Sequence, residues 1–441
     1  MSDTRKGDPV AERVYALLFD GDERGRDDLE EQVATAVPRN ATRQITAMTL
    51  QKAGDLVVDA KTVLSWLLAA LGAPASFTGL LVPIRESGSM LPQAALAPLV
   101  RRMAVRKWMW VAGALLQATA VIALAVIAAT LEGAAAGVAV LVALALFALA
   151  RSLSSIASKD VLGRTLPKGT RGQVTGYATI GAGVASITVG LGLRLLGGEE
   201  AQPATFAWLL AGAAVAWLLA AGVFARVEEA PGEHDEGDQD GPGATARAWT
   251  LLRDDAPFRR FVVARTLLLV SALSPPFIVA LATEHGGAGL QGLGGFVISS
   301  GIAALIGGRA WGRLADRSSR LVMMLAAGSS SALVLAFLGA LLIDGVRELT
   351  LLYPATYLLL ALAHHGSRIG RKTYVVDLAE GNQRTDYVAV SNTAIGILLL
   401  VTGGVTSALA LFGAEVALAA LALLGLVGVA VSSSLPEVSS S

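Results

Sequence analysis

Residues 108–151 read WMWVAGALLQATAVIALAVIAATLEGAAAGVAVLVALALFALAR, two apolar runs separated only by Leu131, Glu132 and Gly133. Each run is long enough to cross the ~30 Å hydrocarbon core as a helix, which takes ~20 mostly apolar residues. With no water to satisfy backbone N–H and C=O groups, lipid admits only helices and closed barrels. These continuous Ala, Leu and Val runs lack the alternation of a barrel strand. They read as two transmembrane helices joined by a tight turn.

Outward from this pair the pattern repeats. Spans are expected at roughly 49–72, 75–99, 108–130, 133–156, 174–197, 203–226, 260–283, 290–311, 321–343, 349–372, 387–410 and 414–433. The composition agrees: 54% of the 441 residues are hydrophobic and only 16% charged, with a mean hydropathy of +0.60. Soluble domains carry nearer ~25% charged residues. The 35 basic and 35 acidic side chains balance, so the basic excess that supports nucleic-acid binding is missing. With no cysteine, thiolate metal sites, thiol nucleophiles and disulfides are excluded. The polar first 45 residues contain no apolar core of a cleavable signal. The expected fold class is an all-α polytopic membrane protein of twelve transmembrane helices in two six-helix bundles.

Loop charges set the expected topology. Arg101, Arg102, Arg106 and Lys107 lie between spans 2 and 3, and Lys159, Arg164, Lys168 and Arg171 between spans 4 and 5. Arg309, Arg313, Arg317 and Arg320 follow span 8, and Arg368, Arg371, Lys372 and Arg384 surround the junction of spans 10 and 11. On the other side only Arg194 and Arg347 occur. Basic residues stay on the cytoplasmic side, so an integral protein of the cytoplasmic (inner or plasma) membrane with both termini inside is expected. Trp108, Trp110 and Trp311 would form an inner aromatic belt. The expected segments are a cytoplasmic tail at 1–46, a six-helix bundle at 47–226, an acidic linker with a short amphipathic piece at 227–258, a second bundle at 259–434, and a tail at 435–441.

The two bundles resemble each other. A shift of 213 residues lays ALARSLSSIASK (148–159) on ALAHHGSRIGRK (361–372), and pairs Gly183 with Gly396 and Gly190 with Gly403. The same shift maps span 4 on span 10 and span 5 on span 11. Parallel repeats of this kind are a transporter architecture with a site between the halves.

The stretch GRLADRSSR (312–320) resembles the cytoplasmic loop motif of the major facilitator superfamily, matching at Gly312, Asp316, Arg317 and Arg320. Ser319 stands for its second glycine, and the first-half loop carries Pro98 and Arg102 at the glycine and aspartate. The resemblance implies bacterial permeases with no assigned substrate, and a cytoplasmic gate at these four residues. They could instead serve only as topological anchors. Arg151 resembles the family's span-4 arginine, associated there with proton coupling, although Ser154 and Ser155 replace its usual Gln and Gly; interfacial snorkelling is the other reading. Span 5 lacks the antiporter-type Gly-Pro.

Charges within spans are costly, ~2.5–3.5 kcal/mol each at the bilayer centre, and pair or face a cavity. Asp55, Asp59 and Lys61 fall in span 1, and Arg85 and Glu86 in span 2. Counting from the Gly72–Pro74 turn puts Asp59, Lys61, Arg85 and Glu86 at one depth. They form either a structural ion-pair network or a substrate or ion-coupling site. His364 and His365 in span 10 suit a proton relay or a helix–helix hydrogen bond, and Arg265 is expected to snorkel. Residues 20–31 imitate a calcium loop, but Arg24 and Asp27 spoil it. No P-loop, dinucleotide fingerprint, hydrolytic triad or metal-ligand cluster is present, so no cofactor, metal or enzymatic activity is expected. The function expected is secondary transport of a small solute by alternating access, driven by protons or another ion, by a monomer in the lipid bilayer. A non-transporting receptor or assembly protein on a transporter fold is the alternative.

Overall fold

The computed structural model describes residues 9–19, 31–93, 96, 103–167, 170–196, 202–231, 250–285, 290–315, 317–378 and 383–438, and among these no strand occurs. The first half comprises α1 (Pro9–Phe19), α2 (Glu31–Ala34), α3 (Val37–Val57), α4 (Val63–Ala70), α5 (Thr78–Met90), α6 (Lys107–Thr130), α7 (Gly133–Thr165), α8 (Thr170–Leu196) and α9 (Pro203–Ala225). The second comprises α10 (Ala256–Leu267), α11 (Val270–Leu273), α12 (Pro275–Glu284), α13 (Leu290–Ala315), α14 (Ser319–Ala340), α15 (Leu352–Leu378), α16 (Gln383–Leu409) and α17 (Ala414–Ser433).

Helix occupies most of every expected span among the described residues. Among the described residues, eight stretches are long and apolar enough to cross a membrane by themselves. The other four are spans 1, 2, 8 and 10, which are broken, short or charged. Span 1 is split between α3 and α4, and α3 begins at Val37, well before the bundle boundary expected at 47. Span 7 is assembled from α10, α11 and α12, with Pro275 and Pro276 opening its last piece.

The split in span 1 has a local cause. The Asp59 carboxylate accepts from Lys61 N–H at 2.9 Å and Thr62 Oγ1 at 3.0 Å, a side-chain turn that competes with the helical ladder. Backbone freed inside a membrane must find partners. The Arg85 guanidinium supplies one by donating to Val58 O.

The two halves pack by one scheme. In the first, α6 lies on α7 and α9, α5 on α7, and α3 on α8 and α9. In the second, α14 lies on α15 and α17, α13 on α15, and α10 on α16 and α17. Shifting each expected span by six turns one set of contacts into the other. The halves meet along two seams, α8 against α13 and α5 against α16, which are also equivalent under that shift. Ser186 Oγ donates to Val297 O at 3.1 Å in the first seam, and Ser87 Oγ to Gly396 O at 2.7 Å in the second.

One end of the bundle pair is closed by contacts between halves. α4 packs on α12, and the Trp66 and Phe296 rings meet edge-on with centroids 5.7 Å apart. At the opposite end the ties join residues of the same half. Arg39 and Arg43 reach Glu228 at 3.1 and 2.9 Å, and Arg106 reaches Asp160 at 2.9 Å. Glu229 accepts from the N–H groups of Arg106 and Lys107, capping α6. α1 docks here too, Tyr15 and Phe19 packing with Val37, Leu166 and Val174.

Two expectations for single residues are corrected. Trp110 is not in an interfacial belt: it is fully buried and stacked on Phe224 at 3.9 Å. Trp108 is half-exposed with Lys107 over its ring at 5.2 Å. Arg265 does not snorkel; it is buried and donates to Ser391 Oγ at 2.9 Å and Asn392 Oδ1 at 3.2 Å.

Candidate functional site

The break between α3 and α4 lies between the two halves, and most of the candidate residues converge on it. Asp55, one turn before the break, receives the guanidiniums of both Arg85, at 3.2 Å, and Arg151, in closer contact. Arg85 also lies 3.7 Å from Asp59 and 5.7 Å from the centre of the Phe147 ring. Two arginines from α5 and α7 therefore share one carboxylate of α3. Such charge-assisted bonds are the strong class, and here they hold three helices to one point.

Lys61, inside the break, crosses to the other half. Its Nζ stands 3.1 Å from Nε2 of His364 on α15, while Nδ1 of the same ring stands 3.2 Å from Ser271 Oγ on α11. An ammonium can only donate, so Nε2 accepts, and Nδ1 carries the ring proton and donates to Ser271. Opposite a charged Lys61, His364 is held as the neutral Nδ1–H tautomer, and this contact ties the first half to the second.

Glu86 differs from its neighbours. Among the described residues no basic group lies within 4.0 Å of its carboxylate, yet Lys61, Arg85, Arg368 and Arg151 all act on it electrostatically. It is an acid held in a cationic field without a dedicated partner. His365 points elsewhere, its imidazole lying against Gly307 of α13.

The structure thus brings together Asp59, Lys61, Arg85, Glu86, Arg151 and His364, and sets His365 to one side. It adds Asp55, the acid on which the arginines converge, and Ser271, which orients His364. Asp55 was visible as one of three span-1 charges, but only the approach of α7 singles it out. Arg368, Arg371 and Lys372 lie at the end of span 10, where the expected bounds 349–372 put them. They continue within α15, on the stripe that runs from His364 at helical spacing.

The loop motif is only partly described. Asp316 lies outside the described residues, as do most of residues 20–31 and of the linker (232–249). Gly312 falls in α13. Arg317 is exposed. Arg320 grips the C-terminal tail, donating to Leu435 O at 2.8 Å and standing 3.5 Å from Glu437, with Ser318 Oγ on the same carboxylate at 2.6 Å.

A model of the Major Facilitator Superfamily matches residues 60–364. The chain belongs to that superfamily, and it is an integral membrane protein of a class of transporters rather than of enzymes. In fold it is similar to a POT family transporter solved with a thioalcohol-conjugated peptide (TM-score 0.68, 11% identity, covering 89% of this chain and 94% of that one). It is similar to the nucleoside transporter NupG (TM-score 0.67, 12% identity, 90% and 98% covered). It also resembles the xylose transporter XylE from E. coli in an inward-open conformation (TM-score 0.63, 11% identity, 90% and 96% covered). At these identities the likeness is one of fold. No curated protein matches in sequence.

Proposed function

We propose that the chain is a secondary active transporter that carries a small solute across the cytoplasmic (inner or plasma) membrane by alternating access, coupled to protons. The observation that carries this reading is the Lys61–His364 bond at 3.1 Å, which joins the two halves at the broken first span. It forms only while Nε2 is unprotonated. A proton there would set imidazolium against ammonium at the same distance, a repulsion that is strong at low dielectric. Lys61, Arg368, Arg371 and His365 are the charged or titratable groups acting on His364, beside the Ser271 hydroxyl. Protonation therefore converts a tie between the bundles into a repulsion, which suits a step that lets them rock apart. Glu86, without a dedicated partner, is the second group suited to hold a proton. Asp55, Arg85 and Arg151 keep the first half rigid around the break. The gate at Gly312, Asp316, Arg317 and Arg320 and the cytoplasmic termini belong to the same proposal.

The test compares wild type with His364→Gln, whose amide oxygen can still accept from Lys61 but cannot be protonated near neutral pH. Spin labels on Leu131→Cys and Leu342→Cys, at the closed end, report the separation of the halves. Acidification should broaden and lengthen the wild-type distance distribution, and His364→Gln should respond less. In proteoliposomes an imposed pH gradient should drive uptake in wild type. A distance distribution unmoved by pH, together with no gradient-driven flux, would reduce the protein to a fixed receptor.

A further inference from the structure

Resting on the transport reading above, a count of charge between the bundles points to the substrate class. Asp55 is taken up by Arg85 and Arg151, and Asp59 lies beside Arg85. Glu86 has Lys61 as the strongest of the cations acting on it. These are the described acids of the space. The cations continue further. On α15 Arg371 and Lys372 follow Arg368 at intervals of three and four residues, with Arg368 and Lys372 exposed. Like charges at that spacing repel along a helix.

Arg368 looks across the gap: it acts electrostatically on Lys52 and Lys61 of the first half as well as on Glu86. Lys372 likewise feels Lys159 of α7. Lys52 donates to Thr179 Oγ1 at 2.6 Å, and Arg371 Nε to Ser367 O at 3.0 Å, both neutral acceptors. Behind them Arg265 is buried on the hydroxyl and amide of Ser391 and Asn392, its Nε without a partner. Among the described residues none of Lys52, Arg265, Arg368, Arg371 and Lys372 has a carboxylate within 4.0 Å. Uncompensated charge within a membrane protein is expensive, and a surplus drawn from three helices of both halves leaves room for an anion to balance it.

We propose that the transported solute is a small organic anion whose carboxylate or phosphate group is bound by Arg368 and Lys372, with Lys52 facing them from the first half. Arg368, at the level where Glu86 and Lys61 also act, would fork onto two oxygens of the anion, as a guanidinium does. Lys52 and Lys372 add point charges on opposite sides. Closing the halves over the anion then brings cations together that repel one another when it is absent, so the empty and loaded carriers differ in which state they favour.

The experiment uses the full-length protein in lipid nanodiscs. Thermal unfolding is followed with succinate, glycerol 3-phosphate and inorganic phosphate, and with xylose, uridine and dialanine as neutral or zwitterionic counterparts. Succinate or glycerol 3-phosphate should raise the midpoint saturably and xylose, uridine and dialanine should not; the difference between succinate and the two phosphates separates a carboxylate from a phosphate ligand. Arg368→Gln and Lys372→Gln should weaken the apparent affinity roughly tenfold or more, in line with loss of a desolvated charge contact. Their ligand-free midpoints should hold or rise, because a repulsion is removed, and Arg368→Lys should recover part of the affinity. Arg253→Gln, an exposed charge outside this cluster, should change nothing. Equal anion stabilisation in the Gln variants, no effect of any anion, or stabilisation by the uncharged solutes alone overturns the assignment. Anion binding that depends on Arg368 but brings no flux in proteoliposomes leaves the anion site at Arg368 and Lys372 standing and removes the transport reading. Flux of a neutral solute does the reverse.

Discussion

Gly190 and Gly403, 213 residues apart in the chain, occupy matching places in the two seams that join the halves. A Cβ on Gly190 would meet Ile298 at 2.8 Å, and one on Gly403 would run into the Pro83 ring. Each glycine lets α8 or α16 approach its partner from the other half more closely than any side chain would permit. Replacing either by Leu should hold the seam open. The Leu131–Leu342 spin-label distance should then lengthen even without acidification. A distance equal to wild type would show that the seams do not set closure.

The ion pairs around the first break predict a non-additive stability pattern. Asp55→Asn leaves two arginines without their shared acid; breaking a fully buried pair costs ~3–5 kcal/mol, and this part-buried cluster should lose less than that. Adding Arg151→Gln should recover much of the loss, since Arg85 keeps Val58 O and Asp59. Lys61→Met with Glu86→Gln should likewise give a stable protein, but one that no longer transports. Thermal midpoints and proteoliposome flux on the same set separate the roles. Full flux in the stable Lys61–Glu86 double variant would assign that pair to architecture.

At the opposite end, Glu228 gives a pH-dependent contribution. Partial burial pushes its carboxyl up, but the hydrogen bonds and charges of Arg39 and Arg43 outweigh this and hold it below the ordinary 4.5. A carboxyl whose folded value is depressed stabilises the protein above the unfolded value, and loses that effect as pH falls through the folded one. The midpoint difference between wild type and Glu228→Gln should therefore be present at neutral pH and shrink below about 4.5. Because the pair is partly exposed, the difference should be small, on the order of 1 kcal/mol or less. A gap that grows on acidification would mean that the clamp does not form.

Sidedness follows from the basic residues and can be tested cleanly, because the chain has no cysteine of its own. A single cysteine at Leu131 should react with an impermeant thiol reagent in intact cells, and one at Ser434 should react only after permeabilisation. Labelling of Ser434→Cys from outside would invert the proposed topology.

The sequence alone determined that this chain lives in lipid as helices. Hydropathy over ~20 residues is a local property, and lipid leaves no other use for runs such as 108–130 and 133–151. The internal repeat was legible for the same reason: Gly183, Gly190, Gly396 and Gly403 keep their spacing in the chain. The resemblance at Gly312, Arg317 and Arg320 pointed to the superfamily that the family match establishes. What could not be read was which charges meet. Hydropathy averaging runs straight through residues 49–72 and cannot see that Asp59 turns back on Lys61 and Thr62 to split the helix. Depth along a span can be counted from a turn, which put Asp59, Lys61, Arg85 and Glu86 together. Rotation about the helix axis and approach from distant helices cannot. Asp55 meets Arg151 across 96 residues, and Lys61 meets His364 across 303. Arg265 is inward and held by Ser391 and Asn392 only because α10 lies against α16. Burial of a charge is fixed by the sum of packing contacts around it, and those contacts exist only once both bundles have closed on each other.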